Sequence, residues 1–231
     1  MPIPGVIASS RVATATTGLL NNAAILAPRN GTTSHTVTPS TGTLSAGTLF
    51  TPTAGRFLLC VVSGAVTSTT PAGWTLPTNG SLVSGTGLYV FYKASAAGGD
   101  TLTTTHNGSN YEVIFHFFEF PATTAFQDAQ NGSLTKTQAH STVSGLTGTT
   151  NVAMGAKALG NPAASGAISA TWNLSMTEAL DLATGSGPTD GVWLGIGYRE
   201  NYSSATFQPT CTVTTAAAGN MESVTWVVKT P

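Results

Sequence analysis

The chain has 231 residues, 8 basic and 9 acidic, with a net charge of −1. Charged residues make up 7%, against about 25% in ordinary soluble domains. The 41% apolar content excludes a disordered chain, and charges scattered singly exclude a phosphate-backbone partner such as nucleic acid. Threonine, about one residue in six, is β-branched and suits pleated strands, while its hydroxyl can replace a charge on a wet face. The composition therefore predicts a folded all-β protein kept soluble by hydroxyls.

The opening Met1-Pro2-Ile3-Pro4-Gly5 has neither the charged nor the apolar region of a secretion signal, so synthesis in a cytoplasm is expected. The first 30 residues lack steady periodicity and read as an arm with one mildly helical stretch, Leu19 to Leu26. A short strand is expected around Thr33–Thr38, closing an arm-and-first-strand segment of residues 1–45. From Arg56 onward strand signals recur, at Phe57–Val66, Leu88–Lys93, Thr101–His106, Tyr111–Phe120 and Val152–Ala158. They continue at Ile168–Trp172, Val192–Arg199, Cys211–Thr215 and Ser223–Lys229. The longest apolar runs, Phe57 to Val62 and Val113 to Phe118, are too short to cross a bilayer as helices, so no membrane insertion is expected. Asn107-Gly108 suits a type I′ turn and predicts a hairpin between the threonine strand and the aromatic strand after it. In Tyr111–Phe120 the residues Val113, Phe115 and Phe117 share one face and Ile114, Phe118 and Phe120 the other, so both faces should be covered.

The order of apolar strand, tryptophan, strand ending Tyr-Lys or Tyr-Arg, threonine strand and apolar strand occurs twice, over about 56–125 and 150–231. Two such halves facing each other predict a jelly-roll-like, two-sheet antiparallel β-sandwich spanning residues 46–231, with an extended N-terminal arm.

Chemistry-bearing residues are sparse. His35, His106, His116 and His140 lack metal-ligand spacing, and His116, between Ile114 and Phe118, reads as a buried, hydrogen-bonded residue. Glu112 and Glu119 lie an odd number of residues apart on one strand and cannot flank a glycosidic bond together. Glu178 and Asp181 read as a solvated pair on a short helical turn. Cys60 and Cys211 read as two buried thiols, with a disulfide as the alternative. No nucleophile elbow or phosphate loop is present; Gly185-Ser186-Gly187 lacks the lysine and the helix. The sequons at Asn30, Asn79, Asn107, Asn131, Asn173 and Asn201 read as turns. Trp74, Trp172 and Trp193 are expected to plug the core, and Tyr202 to be the exposed aromatic. No catalytic, cofactor-binding or metal-binding residue is assigned, and a non-enzymatic role is expected.

Residues Phe50 to Trp74 resemble structural proteins of tailed bacteriophages. The shared pattern is an apolar strand (Phe57–Val62), Pro71-Ala72-Gly73-Trp74, a strand ending Tyr-Lys (Leu88–Lys93) and a threonine strand with hairpin return (Thr101–Phe120). The likeness covers about 45–125 well and the rest loosely. It implies a virion component with a β-sandwich fold, commonly a minor tail or capsid-associated protein, and carries over no ligand residue. The expectation is a minor tail protein near the tail or its tip with host-surface contact; the alternative is a capsid decoration protein, and a glycan-binding or glycan-cleaving tail enzyme ranks last. Other virion proteins, a homo-oligomer such as a trimer, and a host cell-envelope glycan are the expected partners.

Overall fold

The computed structural model describes residues 18–27, 34–40, 49–64, 70–82, 87–105, 113–160, 168–184, 191–215 and 221–231. Among them there is no helix, so the expected all-β class is present. The first eight strands are β1 (Asn21–Ala27), β2 (Ser34–Val37), β3 (Phe57–Ser63), β4 (Ser81–Leu82), β5 (Leu88–Lys93), β6 (Leu102–Thr105), β7 (Val113–Phe120) and β8 (Ala125–Leu134). The next eight are β9 (Val143–Ser144), β10 (Asn151–Gly160), β11 (Ser169–Trp172), β12 (Thr177–Ala183), β13 (Val192–Tyr202), β14 (Thr206–Phe207), β15 (Cys211–Thr214) and β16 (Met221–Lys229). Most match the segments predicted from periodicity to within a few residues.

Two five-stranded antiparallel sheets form the sandwich. One runs β1-β7-β3-β5-β4 and the other, counted from its β8 edge, β8-β16-β10-β13-β12. Taking the five strands of each sheet in chain order, both sheets place the first beside the last, then the second, the fourth and the third. Pair registers correspond too. Tyr92 sits opposite Leu59 as Tyr198 sits opposite Met154, and Phe57 faces Phe120 as Val152 faces Val228. This correspondence takes in β1 and β8, which lie outside, or mostly outside, the segments read as repeats.

The sheets share one apolar layer. Phe57, Leu59, Val61, Leu88, Val90, Ile114, Phe118 and Phe120 come from the first sheet, and Val152, Met154, Ala156, Leu194, Ile196, Val224, Trp226 and Val228 from the second. Period-2 alternation explains it: every other residue of each central strand enters this layer. The intervening residues are not left wet. Leu58, Cys60, Val62, Tyr89, Phe91, Val113, Phe115 and Phe117 form an outer cluster with Trp74, Leu102 and, at its margin, Val37, Leu49 and Phe50. The outer face of the second sheet is likewise covered, by Val143, Tyr202 and Phe207 in one cluster and by Cys211 and Val213 in another. Both faces of Val113–Phe120 are thus buried, as the loss of strict alternation predicted.

Four expectations need correction. The stretch Leu19 to Leu26 is not helical: Asn21–Ala27 is an edge strand paired residue for residue with β7. Sheet pairing, which buries Ala23 and Ala24 completely, overrides the weak helical preference of alanine and leucine. The threonine strand does not form a hairpin with the aromatic strand, because both edges of β7 are occupied, by β1 and β3; β6 pairs instead with β2. Residues 106–112, with His106 and Asn107-Gly108, lie outside the described residues, as do 1–17 of the expected arm. Glu178 and Asp181 belong to a strand, β12, and Asn131 and Asn201 also lie in strands, β8 and β13, rather than in turns.

Candidate functional site

A cleft of about 400 Å³ opens where the β4–β5 edge of the first sheet meets β8 of the second. One wall is the segment Thr75–Thr78. Its position follows from Trp74, which is buried against Phe117 at 6.1 Å and donates its indole N–H to the Thr101 carbonyl at 3.0 Å. Anchored there, Thr75 exchanges backbone hydrogen bonds of 2.8 and 2.9 Å with Tyr92. Asn79, at φ 57°, then turns the chain into β4; asparagine tolerates this left-handed conformation better than most residues.

The opposite wall is β8. A bulge opposite Val227 and Val228 leaves Gln127 as the extra residue, so Phe126 and Ala129, three apart, both turn toward the shared core. Gln127 is held by Asn151, to which its amide donates at 2.5 Å, and by the Thr147 N–H, from which it accepts at 3.0 Å. The walls are tied by Asn131, whose amide donates to the Ser81 carbonyl at 2.6 Å.

Between the walls lies a column of three rings. Phe57 stacks on Tyr92 at 5.6 Å and Tyr92 on Phe126 at 4.9 Å, both interplanar angles being 11°. Tyr92 and Phe126 are half-buried and line the cleft together with Leu76, Pro77 and Asp128. The Asp128 carboxylate accepts one long hydrogen bond, 3.4 Å from the Gln130 amide. The cleft thus sets aromatic surface beside hydroxyl, amide and carboxylate groups on strands that are already fixed.

The corresponding edge on the opposite side of the sandwich carries a different contact. Beside Tyr198, the counterpart of Tyr92, the Glu200 carboxylate accepts the Leu19 N–H at 2.7 Å, and Leu19 packs on the shared core. Gly18 allows this approach, since a Cβ there would lie 2.0 Å from Glu200 Oε1.

The residues singled out from sequence hold the fold. His116 is fully buried; its Nε2 lies 3.2 Å from Asn22 Oδ1 and its ring stacks on Phe118. Burial pushes its pKa down from 6.5 to about 3. His140 is lowered to about 3 by burial and then by the Lys157 charge, while its Nδ1 meets the Thr225 hydroxyl at 3.1 Å. Glu119 is buried and accepts from the Asn21 amide at 3.1 Å; Glu112 lies outside the described residues. Glu178 and Asp181 share one face of β12, because a bulge between Glu178 and Leu180 sets them opposite Gly197 and Gly195. Asp181 is not simply solvated: it accepts the Trp193 indole N–H at 2.7 Å and the Ala170 N–H at 3.0 Å. Trp193 is fully buried, and Trp172 is half-buried against the outer cluster. Tyr202, expected at the surface, is buried, its hydroxyl donating to the Thr206 carbonyl at 2.5 Å and its ring edge-on to Phe207. Cys60 and Cys211 are free, buried thiols in different sheets, and burial raises both pKa values, that of Cys211 to about 12.

Lys157 was not singled out, yet it is the most deeply buried cation described. Its ammonium donates to the carbonyls of Thr135, Lys136 and Cys211 at 2.8, 3.0 and 2.9 Å, using all three hydrogens. Among the described residues no three His, Cys, Asp or Glu side chains gather to hold a metal ion. Compared with protein families, curated proteins and solved structures, the chain matches none.

Proposed function

We propose that this protein is a non-enzymatic structural component of a tailed-phage virion, a minor tail protein placed near the tail or its tip. The phage assignment rests on the resemblance of residues 45–125. The observation that supports a structural role is the covering of both outer sheet faces around one shared core, which makes a stiff block with few ions to desolvate on packing. Jelly-roll winding and an arm upstream of β1 that fastens the block to its neighbours belong to the same proposal.

Quantitative mass spectrometry of purified particles against the major capsid protein tests it. A few to a few dozen copies per particle is the expected result. Hundreds of copies would replace the tail placement with capsid decoration, and absence from particles would overturn the virion reading.

A further inference from the structure

We infer that the cleft at Tyr92 and Phe126 is a carbohydrate site that takes one or two neutral sugar rings. The inference rests on the tail reading only for where such a sugar would be met; the binding itself is a property of the isolated protein. A sugar ring presents an apolar C–H face and a rim of hydroxyls. Both faces of Tyr92 are taken by Phe57 and Phe126, so the apolar surface on offer is the half-buried Phe126 with the edge of Tyr92, set between Thr78 on one wall and the Asp128 carboxylate on the other. Its volume of about 400 Å³ falls in the range of small-molecule sites, roughly 300–1,000 Å³.

Two further observations favour a ligand over a simple groove. The cleft is preorganised: the Tyr92–Phe126 stack and the Asn131–Ser81 hydrogen bond fix both walls, so little ordering cost remains to be met on binding. Asp128 is the loosely held member, with a single 3.4 Å contact and no cation paired with it among the described residues, which leaves acceptor capacity for two neighbouring hydroxyls. Its charge also disfavours acidic sugars. Beside Tyr198, the counterpart of Tyr92, Leu19 and Glu200 meet instead, so among the described residues the two similar sheets differ at this edge.

Saturation-transfer NMR and calorimetry with maltotriose, the N-acetylglucosamine trimer and trigalacturonate test this on the full chain. At least one neutral trimer should bind at one site per chain, with trigalacturonate at least about tenfold weaker. Asp128→Ala and, separately, Thr78→Trp at the exposed rim should each weaken binding at least about tenfold, with circular dichroism and melting temperature unchanged for the rim variant. Failure of both neutral trimers to bind would overturn the inference, as would equal binding of trigalacturonate or binding indifferent to both substitutions. A protein absent from particles that still binds a neutral trimer would sink the virion reading alone.

Discussion

Protonation of two histidines should set the acid limit of this fold. His116 and His140 are held neutral, each with a pKa near 3 when folded against 6.5 as the ordinary value. The unfolded chain therefore takes up protons that the folded chain refuses, and stability present above about pH 6.5 is lost as pH falls toward 3. Between pH 7.5 and 5 each histidine should cost roughly 2 kcal/mol. Urea unfolding of wild type and His116→Gln at both pH values should show the variant losing about 2 kcal/mol less; equal losses would mean His116 is not protected. Lys157 supplies a second residue-scale test. Lys157→Met leaves three carbonyls around an apolar side chain and should destabilise by about 2–4 kcal/mol in urea unfolding. The alternation of Ile114, His116 and Phe118 made the buried histidine legible in the sequence. Nothing local announced Lys157, because its partners lie 21, 22 and 54 residues away.

Strand existence was legible; strand partners were not. Leu88–Lys93 is predicted and found with identical bounds, because a run of apolar and aromatic residues between turn signals has one reading. β1 was missed because Asn-Asn-Ala-Ala carries no β signal of its own and is held by β7. β8 and β12 were missed because bulges break their alternation, and the Phe126 side of the cleft was lost with β8. Two glycines show the same dependence on distant residues. A Cβ on Gly197 would lie 2.6 Å from the Trp172 ring, and one on Gly155 would lie 3.0 Å from it. The indole thus rests on bare backbone, and glycine, usually a weakness in a strand, becomes its seat. Gly197→Ala should destabilise by roughly 1–3 kcal/mol, and the penalty should shrink by more than half in a Trp172→Leu background, read by a double-mutant cycle. A penalty independent of Trp172 would show that the glycine answers to something else.

At the scale of the molecule, the repeated order of strand types in the sequence foreshadowed the matching of the two sheets, but not that each half builds a whole sheet. Periodicity reports which face is apolar and is silent on which strands lie side by side. A single core between the sheets should make the molecule unfold as one unit. Far-ultraviolet circular dichroism and tryptophan fluorescence, with Trp74 on one sheet and Trp193 and Trp226 on the other, should give coincident denaturation midpoints. Separated midpoints would mean that the sheets hold themselves up independently. The shared core also has a handed allocation of bulk. Aligned by register, Phe57 answers to Val152, Val61 to Ala156 and Phe120 to Val228, so the first sheet supplies the knobs and the second the hollows at these levels. A pair of first halves would collide there and a pair of second halves would gape. At neighbouring levels the exchange reverses, Trp226 answering to Phe118 and Ile196 to Val90, so the two halves fill one core by trading bulk level by level.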